Sequence, residues 1–310
     1  MSGFTITGGV SFSGAVSMSE APPPSENTAA WFGGGSEAST VQRITYATDT
    51  ATASVRGPLS LARNYLAAAG NTTDGWFGAG YPPDRSTVDR ITYATDTATA
   101  SVRGPLSSAI YALAAAGNIT NAWLGGGYGI STVNRITFAT DTNTASVRGP
   151  LSLGRGYLAA AGNTTDGWFG GGIPGPRSTV DRITYATDTN TASVRGPLSS
   201  VRFSLAAAGN TTDGWFGGGY APNSPRSTVD RITYATDTAT ASVRGPLSLG
   251  RRDLAAAGND TDGWFGGGNA GGSPFSTVDR ITYATDTATA SVRGPLSQAR
   301  DKLAAAGGIQ

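Results

Sequence analysis

The side chains that could take part in chemistry in this chain are almost all aspartates and arginines. The sequence has no histidine and no cysteine, and Lys302 is the single lysine among its 22 basic residues. Ordinary zinc, haem and iron–sulfur sites therefore lack their usual ligands, and so does nucleophilic catalysis by a thiol. Paired carboxylates at one unique place would suit glycoside hydrolysis, and clustered carboxylates would suit calcium. Any catalytic chemistry would have to come from the aspartates.

The aspartates and arginines recur along the chain instead of gathering at one place. A charge that is repeated six times is typical of a hydrogen-bonded brace between neighbouring repeats and not of six active sites. The clustered oxygen ligands of a calcium loop are not found in any repeat. We therefore predict no enzyme, no cofactor and no metal. The recurring positions are Arg43, Arg90, Arg135, Arg182, Arg231 and Arg280, with Asp49, Asp96, Asp141, Asp188, Asp237 and Asp286.

Six repeats account for these recurrences. Each one starts near a tryptophan, at positions 31, 76, 123, 168, 215 and 264, and reads close to W-F-G-G-G, a variable stretch, then S-T-V-D-R-I-T-Y-A-T-D-T-A-T-A-S-V-R-G-P-L-S. Five variable residues follow, and then L-A-A-A-G-N-T-T-D-G. The spacing from the tryptophan to the Ser of S-T-V varies from 8 to 12, whereas that from this Ser to the next tryptophan is always 37. Insertions are thus confined to one loop of a rigid framework.

Each repeat contains four short extended stretches separated by turn residues. In the second repeat they cover residues 66–70, 76–80, 87–94 and 99–106. Four strands in each of six repeats predict an all-β fold, a six-bladed β-propeller with four-stranded antiparallel blades over residues 29–310. The first repeat begins at its second strand, and the chain ends with an extra L-A-A-A-G at 303–307. We therefore expect the C-terminal strand to join the first blade and close the ring. The tryptophans should pack between blades.

The repeat resembles the Kelch family. It has a Gly-Gly doublet ending the second strand, an aromatic residue in the third, a Pro-containing turn after the fourth, and an Arg entering the next first strand. The copies, with W-F-G-G-G, D-R-I-T-Y-A-T-D-T and R-G-P-L-S, also resemble propeller proteins of marine bacteriophages. The resemblance implies a virion protein, a tail fibre or surface decoration, made in the host cytoplasm. Some six-bladed propellers are sialidases, but T-T-D-G-W-F lacks the spacing of their aspartate box.

Variation between the repeats is concentrated in two loops. In an up-and-down blade, the loop after the glycine triplet and the loop before the next first strand emerge on the same rim. The loops of the opposite rim are nearly invariant. We interpret the variable rim as a surface that recognises a host surface component such as a glycan; the alternatives are tolerated loop variation, a purely structural decoration protein, or a soluble multivalent lectin. The candidate residues are Asn64, Tyr65, Tyr81, Tyr111, Tyr128, Tyr157, Phe203, Tyr220, Arg252, Asp253, Asp301 and Lys302.

Residues 1–28 differ from the repeats. Apolar and small polar residues alternate over residues 3–18, and A-P-P-P follows at 21–24. This pattern predicts a β-type docking arm with a stiff spacer, bound to other virion proteins or to another copy; the alternative is a disordered tail. The first residues carry no basic charge, so we expect no signal peptide. A net charge of +1 and the absence of a long apolar run predict no nucleic-acid partner and no membrane insertion.

Overall fold

In the computed structural model, which describes residues 28–307, six four-stranded antiparallel sheets form the blades of a propeller. The predicted six-bladed fold is confirmed. The docking arm lies outside the described residues except for Thr28, so it stays a prediction. No helix within the described part of the chain is long and apolar enough to cross a membrane.

Every blade has the same strand order from the central axis outwards. The innermost strands, from the first blade to the sixth, are Ala304–Gly307, Ala67–Gly70, Ala114–Gly117, Ala159–Gly162, Ala206–Gly209 and Ala255–Gly258. The second strands are Ala29–Gly33, Asp74–Gly78, Asn121–Gly125, Asp166–Gly170, Asp213–Gly217 and Asp262–Gly266. The third strands are Val41–Thr45, Val88–Thr92, Val133–Thr137, Val180–Thr184, Val229–Thr233 and Val278–Thr282.

The outer strands have only three residues, which keeps the unpaired edge of each blade short. They are Ser54–Arg56, Ser101–Arg103, Ser146–Arg148, Ser193–Arg195, Ser242–Arg244 and Ser291–Arg293. A single 3-10 turn follows each third strand, at Tyr46–Thr48, Tyr93–Thr95, Phe138–Thr140, Tyr185–Thr187, Tyr234–Thr236 and Tyr283–Thr285. Small hairpins extend the fifth and sixth blades, Tyr220–Ala221 with Ser224–Pro225 and Asn269–Ala270 with Ser273–Pro274.

The C-terminal strand closes the ring, as predicted. Ala304–Gly307 pairs antiparallel with Ala29–Gly33, so that Trp31 lies opposite Ala306 and Phe32 opposite Ala305. The first blade is therefore assembled from both ends of the described chain. This pairing gives Ala29–Gly33 a partner on its inner side, so the first blade has four strands like the other five.

The predicted third and fourth strands of the second blade were too long. The third strand stops at Thr92, and the fourth covers only Ser101–Arg103. The aromatic residue that continues the β-like pattern, Tyr93, begins a 3-10 turn instead and stacks on Trp31 of the first blade, with ring centroids 3.8 Å apart. This contact between blades overrides the local preference for an extended chain.

The hydrophobic core consists of six wedges between neighbouring blades. One wedge contains Trp31, Leu59 and Phe77, which are at most 3% exposed. A methyl group at Gly33 would lie 2.9 Å from Cε1 of Phe77, so the first glycine of the triplet makes room for the neighbouring ring. The next glycine, Gly34, has φ of +70°, a backbone shape that a side chain disfavours.

The recurring aspartates and arginines lie at the same junctions between neighbouring blades, which we call the seams. Asp96 accepts a hydrogen bond from Nε1 of Trp31 at 2.8 Å and another from Arg43 at 3.0 Å, and Arg56 lies 3.5 Å away. Equivalent contacts join every pair of adjacent blades. The predicted packing of the tryptophans and the predicted braces between blades are both confirmed.

Candidate functional site

The two variable loops of a blade lie together on one face of the disc, which we call the variable face. It is formed by residues 34–40, 79–87, 126–132, 171–179, 218–228 and 267–277 and by residues 57–66, 104–113, 149–158, 196–205, 245–254 and 294–303. Backbone bridges connect the loops within a blade, for example Asn64 with Tyr81 and Arg252 with Asn269. The variable residues are thus held on a hydrogen-bonded rim.

Around the axis of this face, six residues form a closed ring of backbone hydrogen bonds. Each precedes an innermost strand and donates its N–H to the carbonyl of the equivalent residue in the preceding blade, at 2.7–2.9 Å. All six have φ between 54° and 60°. This shared conformation brings six different side chains to the centre of the face. They belong to Tyr65, Ala112, Tyr157, Ser204, Asp253 and Lys302.

Over this ring lies a depression of about 350 Å³, which we call the bowl. Eight of the twelve predicted site residues line it, together with four residues that were not predicted as site residues. All four, Ile173, Ser204, Asn269 and Gly272, belong to the loop segments that vary between repeats, and this variation is the signal that could have found them. The lining consists of Tyr65, Tyr128, Tyr157, Ile173, Phe203, Ser204, Arg252, Asp253, Asn269, Gly272, Asp301 and Lys302.

The other four predicted residues lie beside the bowl. Tyr111 packs between Tyr81 and Tyr128, with ring centroids 5.5 Å and 6.2 Å away. Tyr220 contacts Phe203 at 5.6 Å. Asn64 is buried, and its Oδ1 accepts a hydrogen bond from the backbone of Glu37, so it supports the loop of the first blade.

One side of the bowl is aromatic. Tyr65 and Tyr157 meet edge to face at 5.2 Å, and Tyr157 also meets Tyr128 and Phe203 at 6.4 Å and 6.3 Å. Tyr128 is 56% exposed, so much of its surface is open to a ligand. Mutual packing holds these rings in place, which lowers the entropy lost when they contact a ligand.

The opposite side is a polar cluster centred on Asn269. Its Nδ2 donates to Oδ2 of Asp301 at 2.7 Å and to Oδ2 of Asp253 at 3.1 Å. Its Oδ1 accepts a hydrogen bond from Nε of Arg252 at 3.2 Å. The second oxygen of Asp301 accepts a hydrogen bond from the hydroxyl of Ser36 at 2.9 Å. The side-chain amide of Asn269 thus joins two other parts of the chain, residues 252–253 and Asp301.

Two cations balance the two carboxylates of this cluster. Nε of Arg252 lies 3.5 Å from Asp253, and the guanidinium lies 4.7 Å from the centroid of the Tyr220 ring. Nζ of Lys302 lies 3.7 Å from Asp301 and 5.6 Å from the centroid of the Tyr65 ring. The lining of the bowl therefore has no formal net charge.

Burial shifts the pKa values of two groups in the bowl, Asp253 and Tyr157. It raises the pKa of Asp253, an effect that hydrogen bonds from Ser204 and Asn269 and the charge of Arg252 partly offset. Burial also raises the pKa of Tyr157 to about 12, with the nearby Tyr111 adding to the shift. The Tyr157 hydroxyl therefore stays protonated at neutral pH and can donate a hydrogen bond.

The opposite, uniform face is formed by residues 46–53, 93–100, 138–145, 185–192, 234–241 and 283–290 and by residues 71–73, 118–120, 163–165, 210–212 and 259–261. A cavity of about 110 Å³ lies on the central axis between the blades, and it is lined mainly by alanines and glycines of the innermost strands. Methyl groups and strand backbone offer little for specific recognition. Within residues 28–307, no group of three or more acidic side chains could hold a metal ion.

No protein-family model matches this sequence, and no curated protein matches it. The class of protein therefore rests on the fold and the repeats: this is a six-bladed β-propeller repeat protein. Its two faces differ, since one bears a single asymmetric bowl and the other repeats the same loops.

Proposed function

We propose that this propeller is a non-catalytic binding protein whose bowl takes a neutral sugar ring of a host surface glycan. The observation that carries the proposal is the arrangement of the bowl, in which rigid aromatic rings face a carboxylate–amide cluster. A pyranose has C–H faces that pack on aromatic rings and hydroxyls that donate to carboxylates. A concave site with an apolar lining and a few placed polar groups suits a small ligand.

The charge of the bowl favours a neutral sugar over an acidic one. Arg252 and Lys302 are each engaged by a carboxylate within 3.7 Å. An acidic sugar would have to compete with Asp253 and Asp301 for these cations. A neutral sugar would instead use the remaining carboxylate lone pairs as hydrogen-bond acceptors.

The bowl also favours one ligand site on each propeller. The six ring positions carry two tyrosines and one each of Ala, Ser, Asp and Lys, so the blades do not offer equivalent sites. A lectin with one site in each blade would need the same residues at every position. We therefore prefer a single axial site to the multivalent alternative.

We further propose that the protein belongs to a bacteriophage particle, as a tail fibre or a surface decoration. The resemblance to marine phage propellers supports this setting. The carbonyl of Thr28 accepts a hydrogen bond from the N–H of Tyr46, which places the start of the described chain on the uniform face. A contact with other virion proteins through residues 1–28 would therefore leave the bowl free to face the host.

A glycan array of neutral and acidic oligosaccharides, probed with the full chain, tests the sugar proposal. Tyr128→Ala removes an exposed ring of the bowl, whereas Tyr81→Ala removes a ring that is 44% exposed but lies outside the bowl. We expect a neutral glycan to bind, with at least about tenfold weaker affinity for Tyr128→Ala and little change for Tyr81→Ala. Binding to no glycan, or equal losses in both variants, would overturn the proposal.

A further inference from the structure

The uniform face carries a ring of exposed loops that barely differ between blades. Each loop follows the third strand and reads A-T-D-T-A-T-A, with Asn replacing the central Ala in the third and fourth blades. Thr48, Thr50 and Thr52 of the first loop are exposed, and so are their equivalents in the other five. The ring therefore presents eighteen threonines to solvent.

The fold itself does not require these threonines. Among residues 28–307, the hydroxyls of Thr48, Thr50 and Thr52 have no hydrogen-bond partner. The repeats have diverged elsewhere, since the loops of the variable face differ in both length and sequence. An exposed ring that stays the same while the opposite face diversifies indicates that the same contact is made by all six blades.

The recurring charges beside this ring are paired within the chain. Arg90 lies 3.1 Å from Asp141 and 3.6 Å from Asp74, and Arg103 lies 3.5 Å from Asp141. The exposed ring itself offers hydroxyl, methyl and amide groups. Depletion of charge is typical of the centre of a protein–protein interface. Two such rings of loops could approach one another without repulsion between like charges.

We propose that two copies of this chain stack with their uniform faces together. A partner that contacts all six loops in the same way must present six contact points at the same spacing and the same radius. A second copy of the chain meets this requirement because it carries the same six loops. Its threonine hydroxyls can donate hydrogen bonds to those of the first copy and accept hydrogen bonds from them. The contact would be isologous, and six weak contacts would act together. Both bowls would then face outwards.

Sedimentation velocity and light scattering of the full chain test this stacking. A dimer has twice the 31.3 kDa mass of the chain. The test variant places one glutamate on each loop of the uniform face, by Thr50→Glu, Thr97→Glu, Thr142→Glu, Thr189→Glu, Thr238→Glu and Thr287→Glu together. The control places six glutamates at exposed positions of the variable face, by Leu61→Glu, Ser108→Glu, Leu153→Glu, Ser200→Glu, Leu249→Glu and Gln298→Glu.

We expect the parent and the control to be dimers at about 100 μM and the test variant to be a monomer, because the dissociation constant should rise at least about a hundredfold. Both variants have the same net charge, so general repulsion between molecules is matched. Thermal unfolding verifies that each variant is folded. A monomeric parent overturns the proposal. A test variant that remains a dimer also overturns it, since the copies would then be held together by another part of the chain.

Discussion

The indole N–H of Trp264 in the sixth blade donates a hydrogen bond to Asp49 of the first blade at 2.9 Å, across 215 residues of sequence. The five other Trp–Asp bonds between blades measure 2.8–2.9 Å. Trp264 also stacks on Tyr46 at 3.9 Å, as its equivalents do on the aromatic residue of the next blade. The seam that closes the ring therefore has the same chemistry as the seams within the chain.

Asp49→Asn should destabilise the protein as much as Asp96→Asn does. Each change removes the charge that holds one indole and two arginines, so we expect a loss of about 2 kcal/mol in the free energy of unfolding. Urea unfolding followed by tryptophan fluorescence measures both. A negligible effect of Asp49→Asn beside a large effect of Asp96→Asn would mean that the closing seam contributes little.

Gln42→Asp should stabilise the protein. Four blades contain a buried Arg–Asp pair, such as Arg63 with Asp89 at 3.0 Å. In the first blade the position equivalent to Asp89 is Gln42, which accepts a hydrogen bond from the N–H of Ser297, so Arg300 has no carboxylate there. Burial lowers the pKa of Arg300 to about 10, because only carbonyl groups solvate its charge. A carboxylate at position 42 restores the pair, and we expect a gain on the order of 1 kcal/mol in denaturant unfolding.

Asp89→Asn makes the opposite change and removes the carboxylate of an existing pair. We expect it to lower the free energy of unfolding by about 3 kcal/mol, since it leaves the fully buried Arg63 without its counter-charge. In the third blade, both partners are replaced by neutral residues, Ile110 and Asn134. Adding Arg63→Ile to Asp89→Asn should therefore recover part of the loss. If the double variant were as unstable as the single one, the penalty would not come from the unpaired charge.

Asp253→Asn should raise stability at neutral pH and have less effect in acid. The folded state holds the proton of Asp253 more tightly than the unfolded chain does, because burial raises its pKa. This contribution is complete below the unfolded pKa, about 3.9, and is lost as the pH rises through the folded pKa. Melting temperatures of both proteins from pH 4 to pH 8 give the comparison. If Asp253→Asn raised the melting temperature more at pH 4 than at pH 8, the prediction would be wrong.

Gly57→Ala should be far more destabilising than Gly271→Ala. A methyl group at Gly57 would overlap the carbonyl oxygen of Ala98 in the next blade. Gly271 has φ of +63° and open space around it, so its substitution costs only about 1 kcal/mol of backbone strain. We expect Gly57→Ala to lower the free energy of unfolding by at least about 3 kcal/mol. Urea unfolding of both variants measures the difference. Similar losses would mean that the blades can move apart at the seam.

Several features of this protein could be predicted from the sequence because each repeat encodes them locally. Turn residues at fixed offsets separate four extended stretches, and six copies specify the number of blades. The extra L-A-A-A-G at the C-terminus predicted ring closure, because an incomplete first repeat needs one more strand. The recurring Arg43 and Asp49 positions predicted braces, because a charge that repeats with the fold has to be neutralised within it.

The tertiary structure alone decided where the third strand ends and how the bowl is assembled. Tyr93 leaves the extended conformation because Trp31, 62 positions earlier, offers a ring to stack on. Asp253, Asn269 and Asp301 meet only because the curvature of the ring brings three loops to one axis. Local periodicity carries no information about such distances. Sequence reasoning therefore found the variable face but left Asn269, at the centre of its polar cluster, out of the predicted site.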